Sequence, residues 1–197
     1  MGLREINAAR TATMIVDAAM KLFFEHGYDA TTMEQIAEAS GVGTSTLYRY
    51  FPSKESVIVG FLGDPGLIAD HVLDRPADES IEVALGHALV AFLVRASEDE
   101  EQGRRFSEIV ETHPRPRARL LEWLQEVQDR LVAALAERTG SSANDVHVAA
   151  MAWMAIFVLQ RISQAGPVRE GWGVPEMAAA VMADLASAPV TTPVHHV

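Results

Sequence analysis

The sequence predicts an all-α fold of about nine helices, and three observations lead to that prediction. Apolar residues recur at spacings of three and four through nearly every segment of the 197-residue chain, which is the period of one helical face. The alternation of apolar and polar residues that indicates a β-strand does not occur in the sequence. Glycine and proline interrupt the pattern at intervals, as they do at helix ends.

The first two helices are delimited by their end residues. Ile15 and Leu22 lie two turns apart on one face of the first helix, and Gly27 ends it because glycine readily takes the left-handed conformation. Thr32 followed three residues later by Gln35 fits a capping box, in which each side chain satisfies a free backbone N–H group of the other residue. A second helix therefore begins after Thr32.

A tight turn at 40–43 leads to a third helix at about 44–51, which Pro52 ends. A short helix, a glycine-containing turn and another short helix form a helix-turn-helix pattern. Ser53 suits the N-cap of a fourth helix. The residues GDPG (63–66) should break that helix after about two turns, because proline and glycine both oppose its continuation.

Beyond this break the pattern predicts a short helix to about Leu73. Further helices follow at about 80–97, 101–112, 117–139, 145–165 and 175–187.

The third helix separates its residues by chemical role. Leu47 and Phe51 face inward, and the outward side carries small hydroxyls, a cation and two phenols: Ser45, Thr46, Tyr48, Arg49 and Tyr50. Hydroxyls and tyrosines can bond to bases or to backbone oxygens of DNA, and arginine can contact guanine with two hydrogen bonds. Lys54 and the first turn of the second helix, at Thr32, would hold flanking phosphates. The alternative is a plain surface helix with half-buried tyrosines.

The charge distribution leaves the choice between these alternatives open. The chain has a net charge of −11, a composition that opposes phosphate binding. Residues 1–56 hold five Lys or Arg against seven Asp or Glu, whereas residues 57–197 hold eleven against twenty. The first segment therefore repels DNA less than the second.

Composition also bounds the class of protein. Cysteine is absent, which excludes disulfides and thiolate zinc sites. The N-terminus lacks the unbroken apolar stretch of a signal peptide, and the apolar run 148–159 is shorter than the ~20 residues of a membrane span. We therefore expect a cytoplasmic protein that does not enter the membrane.

Residues 10–55 resemble the DNA-binding segment of the TetR/AcrR family of bacterial transcriptional regulators. The matching motifs are LFxxxGYxxTT, IAxxxGV and TLYxYFxSKE, within AAMKLFFEHGYDATTMEQIAEASGVGTSTLYRYFPSKESV (18–57). The resemblance implies a dimer of all-α subunits. Each subunit would have a helix-turn-helix DNA-binding domain (1–54), a ligand-binding and dimerisation domain (55–190) and a flexible tail (191–197).

The resemblance also assigns roles to individual residues. It implies base and phosphate contacts for Thr44, Thr46, Tyr48 and Tyr50, with Lys54 and Thr32 on phosphates. Arg49 occupies a variable position of the motif, so its base contact is inferred from the outward face of the helix. Position 43 is often serine in the family and is glycine here, a residue that an N-cap tolerates.

The two last helices, at 145–165 and 175–187, are apolar on more than one side. Val148, Ala152 and Leu159 repeat along one face of the first, while Trp153 and Phe157 occupy others. A helix that is apolar all round must be buried all round. We expect these two helices to form a homodimer interface, as they do in the family; a central core helix in a monomer is the alternative.

A small apolar or amphipathic ligand is the second expected partner. Aromatic and methionine residues that would line its cavity, or else simply fill the core, are Phe92, Phe106, Trp123, Met154 and Phe157. His113 would contact a polar group of the ligand, or else cap a helix. The pattern ETHPRPRARLLEW…LAERTG…VHVAAMAWMA is similar to that of actinobacterial regulators, some of which resemble sensors of fatty acyl-CoA esters.

These inferences favour a dimeric repressor that binds a palindromic operator and is released by its ligand. A DNA-binding regulator without a ligand is the first alternative, and an α-helical enzyme is the second. The chain lacks HExxH, GxSxG, GxGxxG and Walker motifs, so we expect neither enzymatic activity nor a cofactor. His71 with Asp70 and Asp74 resembles a metal cluster, but acidic surface helices produce such groupings by chance, and we expect no metal.

Overall fold

The computed structural model describes residues 2–165 and 174–187, which confirm the predicted all-α fold. Residues 166–173 of the predicted loop at 166–175 and the predicted tail at 191–197 lie outside these residues. The described helices are α1 (Leu3–His26), α2 (Met33–Ser40), α3 (Thr44–Tyr50), α4 (Lys54–Val59), a 3-10 turn (Gly60–Leu62), α5 (Leu67–Asp74), α6 (Ile81–Ala96), α7 (Glu100–Thr112), α8 (Pro114–Thr139), α9 (Val146–Ala165) and α10 (Val174–Ser187).

One helix start differs from the prediction. The prolines in THPRPR (112–117) indicated a break between two helices, with the second beginning at about 117. In the structure α7 ends at Thr112, His113 alone separates the helices, and α8 begins at Pro114. Proline is well tolerated in the first helical turn, because the N–H groups there have no intrahelical partner.

The described chain divides into two compact units. The first comprises the residues up to Leu67 together with Ala96–Asp129, so that α7 and the beginning of α8 belong with α1–α4. Helix α1 packs against α2, α4 and α7, and α2 packs against α3. Apolar side chains with no exposed surface fill the centre of this unit: Ile15, Ala19, Ile36, Leu47, Val57 and Ile58.

The predicted break at 63–66 is present, and it begins earlier than expected. Helix α4 ends at Val59, and the chain tightens into the 3-10 turn before Gly63 takes the left-handed side of the backbone map with φ of 83°. Trp123 of α8 donates from Nε1 to the Gly63 carbonyl at 3.1 Å. Asp64 accepts from the Gly66 N–H at 2.6 Å. Side chains therefore satisfy backbone groups that the interrupted helix leaves without partners.

The second unit comprises Ile68–Arg95 and the described residues from Arg130 onward. Helices α9 and α10 pack against each other. Arg138 of α8 donates to the carbonyls of four residues at the end of α5 and just after it, namely Val72, Arg75, Pro76 and Glu79. A guanidinium group offers five N–H donors in a fixed plane, which suits the cluster of carbonyls at a helix C-terminus.

The segment Lys54–Asp74 is long and apolar enough to cross a membrane by length and composition, with a mean hydropathy of 1.3. The sequence-based prediction that the chain has no membrane span rested on the apolar run at 148–159. The segment is not a continuous helix, however, because α4 ends at Val59 and α5 begins at Leu67. A broken backbone of this kind would leave unpaired polar groups in lipid, so the finding is weak evidence for a membrane span.

Gly60 permits a close approach between the 3-10 turn and the end of α3. A methyl group added there would lie 2.6 Å from Cε1 of Phe51 and 3.1 Å from Cγ2 of Val16. We expect Gly60→Ala to lower the free energy of unfolding by about 1–3 kcal/mol, because the ring must shift in a packed interior. Thermal and urea unfolding would measure the change.

Gly103→Ala is the matched control for this prediction. Gly103 lies within α7 of the same unit, and the nearest atom to an added methyl group is 3.8 Å away. Alanine there should stabilise the protein by up to ~1 kcal/mol through helix propensity. Equal stability of the two variants would contradict the packing argument.

Candidate nucleic-acid interface

The helix-turn-helix is formed by α2, a glycine turn and α3, and the ends of α2 follow the predicted chemistry. The Gln35 N–H donates to Thr32 Oγ1 at 3.2 Å, and the Thr32 N–H donates to Gln35 Oε1 at 2.8 Å, which is the predicted capping box. Gly41 ends α2 with φ of 70°, a conformation that favours glycine. Gly43 is the N-cap of α3 and makes no side-chain cap.

Helix α3 is anchored by one residue and presents its other face to solvent. Leu47 has no exposed surface. Phe51, predicted to face inward beside it, is the C-cap of α3 and is only partly buried. Four of the predicted contact residues on this helix are exposed, namely Thr44, Ser45, Tyr48 and Arg49, and two are half-buried, namely Thr46 and Tyr50. The structure therefore brings the predicted hydroxyls, phenols and cation together on one surface.

Arg49, the cation of α3, contacts the ring of the next residue, Tyr50. The guanidinium carbon of Arg49 lies 5.6 Å from the centroid of the Tyr50 ring, within the range of a cation–π contact. Tyr48 is 44% exposed. Arg49 thus has an orienting partner while its helix face remains open to solvent.

Lys54 is placed differently from the sequence-based expectation, which gave it a DNA phosphate. Its ammonium donates to three main-chain carbonyls, those of Tyr28 at 2.6 Å, Asp29 at 3.3 Å and Thr31 at 3.0 Å. It also lies 4.3 Å from the centroid of the Tyr28 ring. An ammonium group has three hydrogens, and all three are used here. A phosphate contact would require Lys54 to leave these carbonyls.

These carbonyls belong to the α1–α2 turn, residues 27–32. Thr31 is buried within it and donates from its hydroxyl to the Gly27 carbonyl at 2.8 Å. Side chains therefore donate to the carbonyls of Gly27, Tyr28, Asp29 and Thr31. Because Thr32 at its end caps α2, the geometry of the turn sets where α2 begins.

Tyr28 forms the apolar centre of the turn. Its ring lies 5.1 Å from that of Phe23, and only 7% of the residue is exposed. Its hydroxyl is buried and has no hydrogen-bond partner among the described residues. Burial, followed by the nearby Glu55 carboxylate, raises the pKa of the Tyr28 phenol, so the group stays neutral. The motif LFxxxGYxxTT includes Tyr28, but the sequence predicted neither a role for it nor its contacts, which join residues far apart in the chain.

The six residues predicted to line a ligand cavity fall into both units. Phe106, His113 and Trp123 lie in the first, and Phe92, Met154 and Phe157 lie in the second. Phe106 stacks on Phe61 with centroids 5.4 Å apart, and Trp123 is bonded to Gly63 as described above. Phe92 is buried at 5% exposure. The observed contacts of Phe106 and Trp123 are with protein groups, which matches the alternative of core packing.

Met154 and Phe157 do not lie in the interior. They are 39% and 45% exposed on α9, beside Trp153 at 59%. The buried face of α9 is formed by Val148, Ala152, Ala155, Ile156 and Leu159. The assignment of Met154 and Phe157 to a ligand cavity stays a prediction. Val148, Ala152 and Leu159 lie in the predicted repeat, whereas Ile156 does not belong to it.

A surface cleft of about 240 Å³ lies between α1 and α7 in the first unit, and it was not predicted. The Arg105 guanidinium covers the Phe24 ring at 4.4 Å and pairs with Glu101 at 2.9 Å. None of the predicted ligand residues lines the cleft, whose residues are Asp17, Met20, Lys21, Phe24, Asp99, Glu101, Gln102 and Arg105.

His71, Asp70 and Asp74 all lie on α5. Across the stretches 2–165 and 174–187, no three His, Asp or Glu side chains come together in a way that would hold a metal ion.

Comparison with known proteins shows the family to which the chain belongs. Residues 15–59 match the family model of bacterial regulatory proteins, tetR family, and residues 79–164 match that of the MftR C-terminal domain. The transcriptional regulator TcmR of Streptomyces glaucescens is 34% identical over 153 residues, which are 73% of this chain and 67% of TcmR. The chain belongs to the TetR family. It is accordingly a DNA-binding transcriptional regulator, and its helix-turn-helix of α2 and α3 lies within the matched residues 15–59.

Other TetR-family proteins resemble parts or the whole of the chain. The transcriptional repressor KstR of Mycobacterium tuberculosis is 41% identical over 63 residues, 32% of this chain and 29% of KstR. The crystal structure of FadR from Bacillus subtilis in complex with stearoyl-CoA superposes with a TM-score of 0.60 at 18% identity, covering 89% of this chain and 97% of FadR. That likeness shows the shared TetR fold.

Replacing Lys54 by methionine tests whether its side chain contacts a DNA phosphate or only the carbonyls of the α1–α2 turn. We expect Lys54→Met to lower the free energy of unfolding by about 1–3 kcal/mol, because three carbonyls lose a charged donor. The slope of log Kd for DNA against log salt should stay unchanged, because no phosphate contact is lost. Fluorescence anisotropy across a salt series would measure the slope.

Lys21→Met is the control for this experiment, since Lys21 is 74% exposed and pairs with Glu25 at 3.9 Å. It should change the free energy of unfolding by no more than a few tenths of a kcal/mol and should leave the slope unchanged. A slope reduced by about one in Lys54→Met would instead support the phosphate contact predicted from sequence.

Proposed function

We propose that this TetR-family regulator represses transcription as a homodimer that binds a palindromic operator and is released by a small, largely apolar ligand. The observation that carries the proposal is the exposed face of α3, where Thr44, Ser45, Tyr48 and Arg49 stand open to solvent on a helix anchored by Leu47. These side chains supply the donors and acceptors that read base edges and grip phosphates. The protein acts in the cytoplasm, where its DNA lies.

Each residue has a part in this interface. Arg49 reads a base, with guanine the best match for its paired donors. Thr44, Thr46, Tyr48 and Tyr50 divide between bases and phosphates, as their positions in the family motif imply. Thr32 contacts a phosphate at the start of α2. Its Oγ1 accepts the Gln35 N–H, and the hydroxyl proton is not used in that bond.

The dimer is supported by the exposed face of α9. Val146, Trp153, Met154 and Phe157 are 77%, 59%, 39% and 45% exposed. They lie along one side of the helix, where a single chain leaves them in water. Large apolar side chains gathered on one exposed face indicate a protein contact. On α10 the exposed residues Ala179, Ala183 and Ala186 are small enough to allow close approach of a second copy.

In the proposed dimer α3 of each subunit is the recognition helix. The two recognition helices read successive major grooves about 34–36 Å apart. A ligand lowers DNA affinity by binding more tightly to a state in which the two recognition helices have another spacing. Its effect is limited by the difference between its affinities for the two states. The binding of stearoyl-CoA by FadR, which shares the fold, supports a ligand with a long apolar part. No cofactor or catalytic activity is part of the proposal.

A regulator without a ligand is the second candidate, and the packed contacts of Phe106 and Trp123 favour it. The two candidates differ in whether any small molecule changes operator affinity. A protein-controlled or constitutive regulator shows no such change.

Arg49→Ala tests the role of the recognition helix. We expect it to weaken binding to the operator by roughly 5- to 150-fold, the range for loss of one two-bond contact to a base, and to weaken non-specific binding much less. Mobility shift with the upstream region of the gene and with scrambled DNA would measure both affinities. Selection of bound genomic fragments would supply an operator located elsewhere.

Arg104→Ala is the charge-matched control, because Arg104 on α7 is also exposed, at 58%, and pairs with Glu101. It should leave the ratio of specific to non-specific binding unchanged. An equal loss of both affinities in Arg49→Ala would refute a base contact for this residue.

Trp153→Glu tests the dimer interface. A buried, unpaired carboxylate opposes association strongly, so we expect the variant to be monomeric at micromolar concentration while keeping its helical circular dichroism. Analytical ultracentrifugation would measure the mass.

Leu121→Glu is the control, since Leu121 is 57% exposed on α8 in the first unit and lies outside the proposed interface. It should remain dimeric. A dimer that survives Trp153→Glu would refute the interface assigned to α9.

A further inference from the structure

Two residues distant in the sequence contact the α1–α2 turn. One is Lys54 of α4, whose three hydrogen bonds to the turn are described above. The other is His113, the single residue between α7 and α8. His113 belongs to the same compact unit as the turn, although the two are far apart in the sequence.

His113 touches the turn at two points. Its imidazole packs edge-on against the Tyr28 ring, with centroids 4.9 Å apart and an angle of 60° between the planes. Its Nε2 lies 3.4 Å from Oδ2 of Asp29. The His113 side chain is 28% exposed, whereas that of Asp29 is 85% exposed, so solvent weakens the polar contact with Asp29 much more than the ring contact with Tyr28.

The end of α7 fixes the orientation of His113. The His113 N–H donates to the Ile109 carbonyl at 3.0 Å, and Nδ1 lies 3.1 Å from the same carbonyl. Because a carbonyl only accepts, Nδ1 carries the hydrogen in that contact. Thr112 lies 2.8 Å from Nδ1 and donates its own hydroxyl to the Glu108 carbonyl. The imidazole is therefore a rigid extension of α7 that presents Nε2 and a ring edge to the turn.

Tyr28 transmits this contact to the DNA-binding helices. Its ring contacts both the His113 imidazole and the Lys54 ammonium, and its carbonyl accepts the shortest of the Lys54 hydrogen bonds. The turn ends at Thr32, whose hydroxyl and carbonyl accept two amides in the first turn of α2, those of Gln35 and Ile36. A shift of Tyr28 therefore alters the start of α2, which precedes the recognition helix.

We propose that His113 is a positioning residue for DNA binding, which acts through Tyr28 to hold the α1–α2 turn and the capped start of α2 in the geometry that DNA requires. The inference rests on the proposed function for its effect on operator affinity, and on the structure alone for its effect on the turn. It replaces the ligand contact that the sequence suggested for His113. It also makes the α7–α8 junction a point at which changes elsewhere in the chain reach the recognition surface.

The experiment compares His113→Ala with two other variants of the full-length protein. His113→Phe keeps a ring edge against Tyr28 and should rescue binding. His87→Ala is the control, since His87 is 58% exposed on α6 in the second unit. Operator affinity would be measured across a salt series, and hydrogen exchange would be measured in the free protein at the amides of Thr32, Gln35 and Ile36.

His113→Ala should weaken operator binding by roughly three- to tenfold, the effect of losing one aromatic contact, with an unchanged salt slope. The three amides at the start of α2 should exchange faster, while amides of α9 should not. Rescue by His113→Phe would assign the effect to the ring contact. Failure of that rescue, together with equally weakened operator binding in Asp29→Asn, would overturn the action through Tyr28 and assign the effect to the contact with Asp29.

The proposal is overturned if His113→Ala matches His87→Ala in both affinity and exchange. It is also overturned if exchange rises equally in α2 and α9, because the residue would then act on global stability. Absence of sequence-specific DNA binding by the wild-type protein would refute the proposed function instead. In that case the exchange at Thr32, Gln35 and Ile36 still decides whether His113 positions the turn.

Discussion

The DNA-binding unit depends on one ammonium group. Lys54 lies at the start of α4, and its three hydrogens satisfy carbonyls of the turn that leads into α2. Backbone carbonyls in a turn have no helical partners, and a charged donor stabilises them more than a neutral one does. The turn fixes where α2 starts. Along the chain after it come the capping box at Thr32, the glycine turn at Gly41 and the buried Leu47 of α3. A cation in a DNA-binding motif can thus serve the fold rather than the phosphate.

Because Lys54 is bonded to the α1–α2 turn, the DNA-binding surface offers one cation fewer to phosphates, in a protein whose net charge is already negative. The whole molecule carries a net charge of −11, and Arg49 is the cation that α3 itself presents. In the proposed interface, hydroxyls, phenols and backbone amides supply most of the contacts to DNA. Such contacts depend on position much more than charges do, because a hydrogen bond weakens steeply with distance and angle. The precision of the turn and of α2 accordingly matters more here than in a strongly basic DNA-binding domain.

Local chemistry accounts for the parts of the structure that the sequence predicted. Thr32 with Gln35, Gly41 and the GDPG break set helix ends through neighbours within a few residues, and the structure has all three. The contacts of Lys54 and His113 with the α1–α2 turn depend instead on how distant helices pack, which periodicity does not encode. Met154 and Phe157 show the same limit, because an apolar residue on an all-apolar helix fits an inner or an outer face equally well.

The exposed apolar face of α9 has a consequence for how the regulator responds to its own abundance. One acidic subunit with few cations holds a half-site weakly, whereas two joined subunits bind the second half-site at a high effective concentration. Operator occupancy in the proposed dimer then follows avidity, and it falls steeply once the protein is diluted below the point where subunits part. Synthesis rate and growth-driven dilution thereby become inputs to the switch, in addition to any ligand.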